Sequence, residues 1–74
     1  MIQRSALINA VREYGYRFKK RAQRTEIWKK AGSTERIHIT RRKSLAPEDA
    51  RYILLRVGMS LSDVERFLAQ YTRH

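Results

Sequence analysis

The chain is 74 residues long, has no cysteine and carries a formal net charge of +10. That length holds one small domain, read as residues 1–74, near the lower limit at which a core alone supports folding. The missing cysteine excludes a disulfide framework and a cysteine-based metal site, and it suits a reducing cytoplasm. Thirteen Lys or Arg stand against three acids in residues 1–44, and four against four in residues 45–74. A field this one-sided attracts polyanions.

The first stretch, MIQRSALINAVREYGY, lacks the basic–apolar–small order of a secretion signal, because Arg12 and Glu13 interrupt it. No apolar run reaches the length of a membrane span. Ser5 has the chemistry of a helix N-cap. Leu7, Ala10, Val11 and Tyr14 then recur at helical spacing, and Gly15 stops the helix. In residues 16–21 Tyr16 and Phe18 alternate with Arg17 and Lys19, the period of a strand.

Residues 25–30, TEIWKK, form a second strand with Ile27 and Trp28 on opposite faces. Ile27 is expected in the core. Residues 35–40, ERIHIT, form a third, with Ile37 and Ile39 inward and His38 outward. Short connections make the three strands antiparallel neighbours. Residues 41–47 are expected as a basic loop.

Pro47, Glu48 and Asp49 open a helix in which Ala50, Ile53, Leu54 and Val57 line one stripe, and Gly58 ends it. Ser60 and Asp63 have capping-box spacing. Val64, Phe67, Leu68 and Tyr71 form the stripe of a last helix. The order is α-β-β-β-α-α, with helices on one face of a three-stranded antiparallel sheet: an α+β domain. Ile27, Ile37, Ile39, Ile53, Leu54 and Phe67 are expected to be buried together.

This order, with these residues, resembles the HicA-type (YcfA-like) family, over about Ser5 to Phe67. The segment SLAPEDARYILLRVGMSLSDVERFL carries Leu45, Pro47, Arg51, Ile53, Leu54, Gly58, Met59, Ser60 and Phe67 in register with the family pattern. SALINAVREYGY is similar to the family's first helix and its Gly–aromatic stop. The resemblance implies an RNA-cleaving toxin of a bacterial toxin–antitoxin pair, with a fold like the double-stranded RNA-binding domain. It also implies a HicB-type antitoxin partner, commonly acidic. The family's second strand opens with a Gly-Ser-His turn whose His is catalytic. Here Thr25 stands in the place of that His, and Gln23-Arg24 replaces the Gly-Ser. A Thr hydroxyl does not take up a proton at pH 7, so cleavage is expected to be weak or lost.

RNA is therefore the expected ligand. Lys19, Lys20, Arg21, Arg24, Arg41, Arg42 and Lys43 are the expected phosphate contacts. Trp28 is either a base-stacking residue or a packing one. His38 is the residual catalytic candidate. Glu26 faces it in one strand register and Trp28 in another. His74 is set aside as the chain's last residue. There is no carboxylate pair, Gly-rich phosphate loop or metal-ligand spacing, so neither cofactor nor metal is expected. The sequence leaves a homodimer open.

Two other readings compete. The domain could be kept for antitoxin binding alone. Leu54, Gly58 and Val64 also have helix-turn-helix spacing. However, Asp63 and Glu65 on the would-be recognition helix repel phosphates, and the charge lies in the other half of the chain.

Overall fold

The computed structural model describes residues 1–72, so His74 lies outside the described residues. Its elements are β1 (Ile2–Gln3), α1 (Arg4–Glu13), β2 (Tyr16–Arg21), β3 (Thr25–Lys30), β4 (Arg36–Thr40), β5 (Ser44–Leu45), α2 (Pro47–Arg56) and α3 (Leu61–Tyr71). β2, β3 and β4 form one antiparallel sheet in that order. The expected α+β meander is present, with two short strands added.

Those strands answer a backbone question. β1 pairs antiparallel with β5, Ile2 opposite Leu45. The Arg4 N–H donates to the Lys43 carbonyl at 2.8 Å. One of the free N–H groups opening α1 therefore finds a tertiary partner, and no side chain caps the helix. Ser5 lies inside α1, and Gln3 takes the cap position. Part of the expected 41–47 loop is thus a strand.

The other helix signals act locally. Gly15 has φ +89°, and its N–H bonds to the Arg12 carbonyl at 3.0 Å. That left-handed conformation is cheap for glycine and closes α1. Pro47 occupies the first turn of α2. The Ser60 Oγ accepts from the Asp63 N–H at 3.2 Å, capping α3.

All three helices contribute to one core. Leu7 and Val11 of α1, Ala50 and Leu54 of α2, and Val64 of α3 pack with Tyr16, Trp28, Ile37 and Ile39 of the sheet. Phe67 is only partly buried against that cluster, and Tyr71 is exposed. The expected strand phase is corrected at β3. Trp28 sits opposite Ile37 and is 3% exposed, within the core. Ile27 sits opposite His38 on the other face and lies outside the core cluster. Both are apolar, so alternation alone left the phase of β3 open. Cross-strand pairing with Ile37 and Ile39 decides it.

Candidate nucleic-acid interface

The helices cover one face of the sheet and leave the other open. Along the open face the cross-strand rows are Arg17–Lys29–Arg36, Lys20–Ile27–His38 and Thr25–Thr40. Ile27 is 8% exposed there. Its cross-strand neighbours Lys20 and His38 have long side chains that can lie over an apolar residue.

The register of β2 against β3 shifts between Phe18 and Lys20, so Lys19 is a bulge residue. A bulge re-aims side chains. Here it turns consecutive lysines to the same face. Repulsion from Lys29 and then Arg36 holds the exposed Lys19 amine below its ordinary value of 10.5, with smaller parts from lost solvation and from Lys20. Lys20, Lys29 and Arg36 thus form one cationic cluster around Lys19, and none of the four has an ion-pair partner among the described residues. Such a surface gains from a polyanion what it loses by self-repulsion. Arg17 is drawn away from it. Its guanidinium donates to the Arg12 and Tyr16 carbonyls at 3.0 and 2.8 Å.

A second basic group lies at one end of the sheet. The β2–β3 turn is closed by the Ala22 N–H on the Thr25 carbonyl at 2.8 Å. The Arg41 N–H reaches the Arg24 carbonyl at 3.3 Å, which ties the turn to the segment after β4. Gln23, Arg24, Thr25, Thr40, Arg41 and Arg42 line an open trough there. Lys43 lines an adjoining hollow with Arg4 and Arg41.

The expected contacts therefore divide. Lys19 and Lys20 lie on the open face. Arg24, Arg41 and Arg42 lie at the sheet end, with Lys43 next to them. Arg21 is exposed but sits opposite Glu26, on the helix-side parity of the sheet. Lys29 and Arg36 were missed as site residues. Counting Trp28 as inward would have placed Lys29 outward with Lys19 and Arg36; Lys20 joins them only through the bulge.

Of the two roles open to Trp28, stacking or packing, its burial fits packing. Its indole is buried and its Nε1 donates to Glu26 Oε1 at 3.1 Å. The Arg12 guanidinium lies 5.4 Å from its ring centroid, and Phe18 meets it edge-on at 6.0 Å. Glu26 also pairs with Arg4, so one carboxylate joins the start of α1 to β3. Of the aromatics on β2 and β3, Phe18 is the exposed one.

His38 pairs with Ile27, so neither expected register holds: Glu26 sits opposite Ile39 and Trp28 opposite Ile37. The imidazole is exposed and lines a cleft of 240 Å³ with Thr40, Leu45, Asp49, Tyr52 and Ile53. Thr25 is half-buried and lies two positions along β3 from Ile27. Residues that far apart along a strand are separated by about 6.5–7 Å. Among the described residues no three His, Asp or Glu side chains gather as a metal site, and no helix is long and apolar enough to cross a membrane.

No family model, no curated protein and no solved structure matches this chain.

Proposed function

We propose that this chain is an RNA-binding domain of HicA-like ancestry, acting in the cytoplasm as the toxin-family member of a toxin–antitoxin pair, with ribonuclease activity weakened or lost. One observation carries the binding part: Lys19, Lys20, Lys29 and Arg36 share an open sheet face with no acidic partner, beside an end lined by Arg24, Arg41 and Arg42. A-form RNA is read largely through its backbone and shape, so such a surface needs no base-specific contact for basal affinity. The weakened chemistry rests on Thr25, which lies among arginines but offers no proton acceptor near neutrality.

An acidic HicB-like partner would relieve the same charge repulsion, so antitoxin and RNA would compete for one face. The helix-turn-helix reading loses support from α3, whose acids are matched rather than replaced by cations. Arg51 pairs with Glu65 at 2.6 Å, and Arg66 approaches Asp63 at 3.8 Å.

The test is fluorescence anisotropy with a labelled RNA hairpin over a range of salt concentrations. The expected result is affinity falling linearly on logarithmic axes, with a slope of about 0.7–0.9 per phosphate contacted. A flat dependence counts against the reading.

A further inference from the structure

The cleft beside His38 is built differently from the surfaces around it. Asp49, Tyr52 and Ile53 lie at i, i+3 and i+4 on α2, so they share one helix face. Across from them stand His38 and Thr40, alternate residues of β4 on the open side of the sheet. Leu45 and Ile53 are 5% and 7% exposed and make an apolar floor. Tyr52 is 64% exposed, a ring with an uncovered face at the cleft wall. Asp49 is exposed and forms no ion pair among the described residues.

An unpaired carboxylate beside a cationic surface is a poor phosphate site. It is a good acceptor for N–H groups. An apolar floor, an exposed aromatic ring and a carboxylate acceptor are the parts that hold a splayed-out base by stacking and edge hydrogen bonds. The volume, 240 Å³, is below that of drug-sized sites, about 300–1,000 Å³, and suits one bicyclic ring system. Thr40 lines both this cleft and the trough of Arg24, Arg41 and Arg42. A nucleotide with its base in the cleft therefore has cations close by for its phosphates.

The base edge follows from the acceptor. Guanine presents N1–H and the N2 amino group side by side, and a carboxylate accepts both. Adenine sets an acceptor nitrogen beside its amino group, which a carboxylate repels. Uracil flanks its single N–H with two carbonyls. We infer that the cleft between β4 and α2 binds an unpaired guanine base of the RNA, with Asp49 accepting from the N1–H and N2 amino edge and Tyr52 stacking on the ring. The inference rests on the RNA-binding reading above and adds a base preference to it.

Labelled uridine octamers with one central guanosine, inosine or adenosine test it. Inosine lacks only the 2-amino group. The native chain is expected to bind the guanosine octamer about tenfold more tightly than the adenosine octamer, the size of one bidentate base contact, with the inosine octamer, which keeps the N1–H, between them. Asp49→Asn is expected to reduce that ratio to about twofold or less, and Tyr52→Ala to weaken binding of the guanosine octamer most. Lys20→Gln is expected to weaken all three alike. Equal binding of the three octamers by the native chain overturns the inference, as does a guanosine preference that survives both cleft variants. If neither the octamers nor the RNA hairpin binds, the RNA-binding reading fails separately. Guanosine monophosphate against adenosine monophosphate, followed by NMR shifts at His38 and Tyr52, then decides the cleft alone. Guanosine-selective shifts lost in Asp49→Asn support a free guanine nucleotide as its occupant, and the absence of such shifts overturns the site.

Discussion

Replacing Lys19, Lys20, Lys29 and Arg36 together by Gln removes the open-face cluster while leaving the core and the cleft untouched. Each lost phosphate contact lowers the salt slope by about 0.7 on single strands and about 0.9 on duplexes. At about 0.15 M salt, four such contacts correspond to a loss on the order of 10²–10³-fold in affinity. The same replacement relieves the repulsion that lowers the Lys19 pKa, so thermal stability is expected to hold or rise. That separates lost binding from lost folding. The assay is anisotropy with the RNA hairpin at several salt concentrations, alongside a thermal melt. A second variant, Arg12→Gln with Arg56→Gln, changes cations on α1 and α2 and is expected to leave the slope within about one contact of native. The reasoning is refuted if the fourfold variant keeps its slope, or if the α1 and α2 variant accounts for the loss.

Trp28→Ala is expected to cost about 3–5 kcal/mol in denaturant unfolding, most of what a domain of this size possesses. Ile27→Ala, on the other face, is expected to cost clearly less; the reverse order would contradict the strand phase. Glu26→Gln leaves the Arg4 guanidinium without its ion pair and is expected to lower stability by about 1–3 kcal/mol. The Tyr16 phenol is held above its ordinary value of 10.0, chiefly by burial, then by the Glu35 carboxylate. Its folded pKa is raised, so its contribution is complete below pH 10.0 and is lost as pH climbs through the folded value. Alkaline unfolding should therefore be shallower in Tyr16→Phe. Purified protein is expected to cleave RNA slowly or not at all, since general acid–base catalysis worth about 10²–10⁴-fold has no group at Thr25. Robust cleavage abolished by His38→Ala would relocate the base to β4.

Several elements were readable from local chemistry. Gly15, Pro47 and Ser60 act through their own backbone or the next turn, so their helix boundaries followed from residue type alone. The antiparallel order of β2, β3 and β4 followed from short connections. The surplus of cations in residues 1–44, and the expectation of an anionic partner that rests on it, needed no fold.

Tertiary structure decided the rest, because each remaining question depends on a partner distant in sequence. Ser5 has the residue type of a cap, but the partner of the Arg4 N–H is the Lys43 carbonyl, 39 positions away. Ile27 and Trp28 are both apolar, and only pairing with β4 assigns one to each face. Lys19 and Lys20 alternate in sequence, and only a bulge against β3 turns them the same way. Asp49 and Tyr52 read as helix-start chemistry and a surface aromatic until α2 lies beside β4 and makes them two walls of a cleft with His38. Charge and capping are properties of residues and their immediate neighbours, whereas phase, face and cleft are properties of pairings.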